Sequence, residues 1–209
     1  MEYRILGPLE VTNNGAVIDI GSPQQRALLA ILILNVNRVV STERILDDLW
    51  SGDSTGKERT LWVYISRLRA ALEPDREAHG ENTVLVTRDH GYSLMVAPSA
   101  IDAHRFEELA DRGRGLLRHD PASAADMLND ALSLWRGSAL EDFAYLDFAG
   151  VDAARLEDLR LAATEDRVEA DIRSGRHREV IGELEQLIAL HPHRERFVGQ
   201  LMTALYRSG

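Results

Sequence analysis

The sequence predicts an α+β domain followed by an all-α repeat domain. Two observations carry this. Residues 1–96 mix strand-like and helix-like runs in the order strands, three helices, hairpin, whereas residues 97–209 keep helical periodicity almost throughout. A six-residue echo, Ala170-Asp-Ile-Arg-Ser-Gly175 and Ala204-Leu-Tyr-Arg-Ser-Gly209, then sets a period of 34 residues in the second part, the tetratricopeptide spacing.

The elements of the first part follow from local chemistry. Tyr3 to Val11 reads as one or two strands, and Asn14-Gly15 as a two-residue hairpin turn, since both residues tolerate positive φ. Val17 to Ile20 returns as a strand. Ser22 caps a helix from about Gln24 to Leu34, with Pro23 at its first position. That helix is apolar on most sides and should be buried. Ser41 or Thr42 caps a second helix through Trp50, closed by Ser51-Gly52. A third runs from about Lys57 to Glu73 and stops at Pro74. Thr83 to Thr87 and Tyr92 to Val96 are strands joined by Arg88-Asp89-His90-Gly91. Ala97-Pro98-Ser99 marks the joint to the second part.

In the second part, Phe106, Leu109, Leu116 and Leu117, then Leu128, Ala131, Leu132 and Trp135, predict a helical hairpin around Asp120-Pro121. Leu184, Leu187, Leu190 and Pro192 give the helix–turn–helix rhythm of a further unit. Repeats bury their apolar stripes only against neighbours. Phe197, Leu201, Leu205 and Tyr206 are therefore expected to lack cover, and the repeat domain is expected to be truncated at its C-terminal end or closed by self-association. Trp50 and Trp135 are expected in the core.

Composition limits function. The 209 residues carry 24 basic and 34 acidic groups, net −10, with 10 against 13 in residues 1–96 and 14 against 21 in residues 97–209. Any nucleic-acid contact must come from a local patch. The chain has no cysteine, so disulfides and thiolate metal sites are excluded. No secretory leader and no membrane-length apolar run is present; the expected location is cytoplasmic and nucleoid-associated. His191-Pro192-His193 lacks a third ligand, Ser41, Ser51 and Ser66 lack a His and Asp partner, and no glycine loop would cradle a phosphate. No catalytic residue, metal or cofactor is assigned.

The third helix stands apart. Leu61, Ile65, Leu68 and Leu72 recur at spacings of 4, 3 and 4 and fall within about 60° of one another at 100° per residue. Opposite them lie Arg59, Val63, Ser66, Arg67 and Ala70, with Lys57 and Arg69 on the flanks. Four cations thus face Glu58 and Glu73 in an otherwise acidic chain. A major groove admits one helix, and Arg pairs bidentately with guanine. Further cations can engage phosphates and fix register. Arg88 at a hairpin tip can enter a minor groove. A capped helix, a loop, a basic helix and an Arg-tipped hairpin make the order of a winged helix-turn-helix. The fold class is thus an α+β winged helix-turn-helix followed by an all-α tetratricopeptide-like helical repeat domain.

Residues 59–73 and 84–92 resemble the winged-helix DNA-binding domain of OmpR-type regulators. Ile5-Leu6-Gly7-Pro8-Leu9-Glu10-Val11 and Gly21-Ser22-Pro23-Gln24-Gln25-Arg26-Ala27-Leu28-Leu29-Ala30 are similar, more closely, to the Streptomyces antibiotic regulatory protein family. Those activators join this domain (residues 1–96) to a bacterial transcriptional activation domain (residues 97–209). The resemblance implies that Arg67 reaches a base edge and that Arg59, Tyr64 and Arg69 mainly hold phosphates, with Arg88 entering the minor groove. Val63 belongs to the same DNA-facing set. Trp62 departs from the OmpR-type pattern, where a small or polar residue is common; a sugar, a thymine methyl and another protomer are its open alternatives. Ser66 is less basic than its counterparts. Ser51, Gly52, Asp53, Ser54, Thr55 and Gly56 match a segment that in related activators faces RNA polymerase. The implied partners are promoter DNA in direct repeats, RNA polymerase holoenzyme and a second protomer on DNA, for antibiotic or other secondary-metabolite genes, without a membrane. A repressor or kinase-controlled regulator on the same scaffold, or an adaptor that no longer binds DNA, are the alternatives.

Overall fold

A computed structural model describes residues 1–50, 55–74 and 80–209. They form two compact units. The first comprises residues 1–105 with 136–156, and the second residues 106–135 with 157–209.

The first unit opens with a three-stranded antiparallel sheet of β1 (Glu2–Arg4), β2 (Glu10–Asn13) and β3 (Ala16–Val17). Asn14 and Gly15 make the β2–β3 turn at φ +49° and +82°. The helix α1 (Pro23–Leu34) starts in a capping box. The Ser22 hydroxyl accepts the Gln25 N–H, and the Gln25 side chain accepts the Ser22 N–H in return. Ala27 to Ile33 are all buried, as expected of a helix that is apolar nearly all round.

β4 (Val40–Ser41) leads into α2 (Thr42–Trp50), whose first turn is capped by the Ser41 hydroxyl through the Arg44 N–H at 3.2 Å. α3 spans Glu58–Leu72. β5 (Leu85–Arg88) and β6 (Gly91–Leu94) form the hairpin, and β4 pairs on the other edge of β6, Val40 opposite Tyr92. This third strand is an addition to the sequence reading. Gly91 makes it possible, because a Cβ there would sit 2.1 Å from the Val40 carbonyl oxygen.

The unit is closed by chain from beyond residue 96. Ile101 bridges to Tyr3, and the buried Asp102 carboxylate accepts the N–H groups of Ile5 and Leu6 at 2.8 and 3.1 Å. Burial pushes the Asp102 carboxyl above the usual carboxylate range, against the pull of those donors. Arg136 and Leu140 N–H groups donate to the carbonyls of Leu6 and Ile5. Asp142 accepts the Leu9 N–H at 3.0 Å and pairs with Arg26. Buried Phe143 and Ala149 fill this side.

The second unit is helical. α4 (Asp102–Leu116) continues into it from the first unit and turns through Asp120, the N-cap of α5 (Pro121–Ser133), as the sequence predicts. Phe106 and the buried Trp135 meet edge to face at 5.3 Å, with the Arg160 guanidinium 4.6 Å from the indole centroid. The long α6 (Asp147–Arg173) is followed by α7 (Ile181–Leu190) and α8 (Glu195–Ser208). The 34-residue echo marks the ends of α6 and α8, each followed by a left-handed glycine, Gly175 and Gly209, at φ +90° and +95°. Val168, Ile172, Val180, Leu184, Phe197 and Ala204 form its core. Phe197 is therefore covered, contrary to expectation, and Leu201 packs against the same cluster. Leu205 and Tyr206 are exposed, as expected. The exposed stripe of α8 is Val198, Met202, Leu205 and Tyr206.

Candidate nucleic-acid interface

α3 owes its orientation to its leucine stripe. Leu61, Ile65, Leu68 and Leu72 are all buried, none more than 3% exposed, matching the spacing read from sequence. At roughly 1.5–3 kcal/mol for each fully buried side chain, the stripe outweighs any rotation that would expose it. The opposite face is consequently held outward. Arg59, Ser66, Arg67 and Ala70 are exposed, Val63 is 41% exposed and Trp62 72%. The helix is 15 residues long, or about 22 Å at 1.5 Å per residue, enough to follow one stretch of groove. Glu58 in the first turn suits the positive end of the helix dipole.

The predicted site residues divide by their partners. Among the described residues, Arg59 and Arg67 on α3 and Arg88 at the hairpin tip have no hydrogen bond or ion pair. They are cations held on a rigid surface with their donors available. Arg88 stands opposite Gly91 across the two-residue turn Asp89-His90, at the tip of the wing.

Tyr64 and Arg69 behave differently. The Tyr64 ring stacks on Trp50 with centroids 6.3 Å apart and 14° between planes, and its hydroxyl donates to Gln24 Oε1 at 3.5 Å. Trp50 is thereby half-buried on the side of the unit rather than in its core, a correction to the sequence expectation. Arg69 donates from Nε to the Leu85 carbonyl at 2.9 Å and from a terminal nitrogen to Thr87 Oγ1 at 2.7 Å. Its guanidinium braces the wing strand against α3.

Glu73, which the sequence reading left out of the site, does the same from the helix end. One carboxylate oxygen accepts the Thr83 N–H, the Thr83 hydroxyl and the Val84 N–H at 2.8, 2.9 and 3.1 Å. Its place directly before Pro74 was the available signal. Together Arg69 and Glu73 fix the spacing between the helix and the Arg88 tip. Of the segment matched to a polymerase-facing loop, Ser51 to Ser54 lie outside the described residues; Thr55 and Gly56 form an exposed turn.

Comparison with known proteins finds a family for each part of the chain. Residues 19–94 match the family "Transcriptional regulatory protein, C terminal" and residues 101–209 match "Bacterial transcriptional activator domain". The whole chain is 36% identical to Regulatory protein DnrI of Streptomyces peucetius, covering 79% of that protein. It is 36% identical to Regulatory protein AfsR of Streptomyces griseus, of which it spans 21%, about a fifth of the length. The solved structure of Mycobacterium tuberculosis EmbR in complex with a low affinity phosphopeptide superposes with a TM-score of 0.91 at 33% identity, over 99% of this chain and 55% of that one. Among the described residues no helix is long and apolar enough to cross a membrane. The chain belongs to the Streptomyces antibiotic regulatory protein family of transcriptional activators.

Proposed function

We propose that residues 1–96 bind direct repeats in promoter DNA and that residues 97–209 support activation by contact with RNA polymerase or a neighbouring protomer. The observation that carries this reading is the exposed face of α3, where Arg59 and Arg67 are unpaired among the described residues while the opposite stripe is buried. Arg67 reads a base edge in the major groove, most simply a guanine. Arg59 holds a phosphate, and Arg88 enters the minor groove from the wing. Val63, Ser66 and Trp62 complete the facing surface. Tyr64 contributes from the flank, with its phenol beside the backbone of the duplex. Arg69 acts mainly by holding the wing, with any phosphate contact secondary to that.

Two protomers in tandem suit direct repeats, with a heterologous contact between them rather than a twofold one. The net charge of −7 in residues 97–209, from 14 basic and 21 acidic groups, suits a protein partner and keeps that half away from phosphates. Thr55 and Gly56 belong to the segment proposed to face polymerase. The site of action is the chromosome in the cytoplasm, at antibiotic or other secondary-metabolite genes.

Selection of bound genomic fragments, followed by transcription in vitro from a selected promoter, tests the reading. Enrichment of fragments sharing a tandem motif and a rise in transcript are expected. A fall in transcript would make the protein a repressor, and failure to enrich any fragment at low salt would leave it an adaptor.

A further inference from the structure

On the first unit a cleft of about 550 Å³ opens between the start of α1, the end of α2 and residues 142–146. Pro23, Ala27, Leu49, Phe143 and Leu146 supply apolar walls. The polar groups at its edge are already engaged. Asp142 accepts the Leu9 N–H and pairs with Arg26, which also donates to the Leu9 carbonyl at 2.6 Å, and Gln24 accepts from Tyr64. What the cleft offers a ligand is therefore apolar contact. Tyr145, next to the lining residue Leu146 in the chain, is 99% exposed and adds apolar surface there.

The setting of this surface is acidic. Residues 141–152 contain Glu141, Asp142, Asp147 and Asp152 and no Lys or Arg. α2 contributes Glu43, Asp47 and Asp48 against Arg44 alone. Ion pairs engage Asp142 with Arg26 and Asp48 with Arg44, while Glu43, Asp47, Glu141 and Asp147 remain exposed. Phosphates are repelled from such a surface. An occupant must bring apolar side chains for the cleft and positive charge for its surroundings.

We propose that this face docks a basic amphipathic helix of another protein, with an apolar stripe seated on Leu49, Phe143 and Leu146 and Lys or Arg on its flanks. The proposal is independent of operator recognition, since it uses neither the exposed face of α3 nor the wing. The cleft accommodates a few side chains rather than a full-size interface, so the contact is a weak and transient one.

Fluorescence anisotropy tests it, with two labelled synthetic helical peptides that share one Leu/Phe stripe and carry either Arg/Lys or Glu on the flanks. The basic peptide is expected to bind saturably and to weaken with salt, and the acidic one not to bind. Tyr145→Ala and Leu146→Gln should each weaken the basic peptide about five- to tenfold, and Asp47→Asn less. All three should retain the parental melting temperature and DNA affinity. Equal binding of the two peptides would overturn the proposal. So would unchanged affinity in the Tyr145→Ala protein, whose side chain is too exposed to disturb folding. A concentration-dependent dimer in light scattering that Tyr145→Ala dissolves would give the face to a second copy instead. Loss of DNA binding by the parent with the peptide results as expected would sink the proposed function and leave this inference standing.

Discussion

The arginines of α3 and the wing tip contrast with those that cross-link the helices of the second unit. On the first unit Arg59, Arg67 and Arg88 are exposed and unpaired among the described residues. In the second, several are held by carboxylates. Arg167, 8% exposed, bonds Asp171 at 2.9 Å and Glu183; Arg176 takes the other Asp171 oxygen at 2.7 Å. Arg114 and Arg196 converge on the buried Asp166, each at 2.7 Å, and Arg194 and Arg196 reach the buried Glu165 at 3.6 and 3.5 Å. The two units hold similar numbers of arginines, 12 and 11, and differ in how those on one face are paired. In the proposed function, pairing rather than the number of cations decides which surface meets a polyanion.

The strongest way to break that comparison is to remove a paired arginine. Arg167→Ala removes charge-assisted bonds to Asp171, which keeps Arg176, and to the exposed Glu183, and should cost about 1.5–3 kcal/mol. Burial works against its guanidinium, but the bonds to Glu183 and Asp171 hold its pKa above the usual value. Chemical denaturation should show the loss, and DNA affinity of the folded fraction should stay parental. A parental unfolding midpoint would show that these pairs do not hold the helices together.

The mirror experiment removes an unpaired arginine. Arg67→Ala should leave the melting temperature unchanged and cost roughly 1–3 kcal/mol on the selected site in a binding titration. Arg69→Ala lies between the two classes. Its bonds to Leu85 and Thr87 are worth about 1 kcal/mol net, so hydrogen exchange of the 85–88 amides in DNA-free protein should speed up roughly fivefold. Unchanged exchange would return Arg69 to the role of a simple phosphate contact.

The smallest effect concerns a carboxylate that serves the fold alone. The Ser123 hydroxyl and then its backbone N–H hold the Asp120 carboxyl below the usual range. A lowered folded-state pKa gives stability that is present above the unfolded value of 3.8 and lost as pH falls through the folded one. The melting temperature of the parent should therefore fall towards that of Asp120→Asn in acid, since Asn caps a helix without titrating. Parallel pH profiles would remove Asp120 from the account.

How much of this was legible in the sequence depended on range. The leucine stripe of α3, the Ser22 cap and the Asn14-Gly15 turn are local, and each follows from spacing or from the φ preferences of one or two residues. β4 has only two residues and exists because Gly91 lets it approach β6, a pairing that spans about half of the first unit's opening segment. The grip of Asp102 on Ile5 and Leu6, and the return of residues 136–156 to the first unit, carry no periodic signal. Among candidate site residues, exposure was readable from helix phase for Arg59, Val63 and Arg67. Partnership was not, and so Arg69 and Tyr64 looked like Arg59 until their contacts with Leu85, Thr87 and Trp50 were seen.

The central claim is that an unpaired arginine on α3 reads a base. The direct measurement is the affinity of the parent and of Arg67→Ala for a panel of duplexes carrying every single base-pair change of the selected site. The account predicts that the variant loses discrimination at one base pair and keeps it elsewhere. Identical discrimination profiles for the two proteins, at every position, would contradict it.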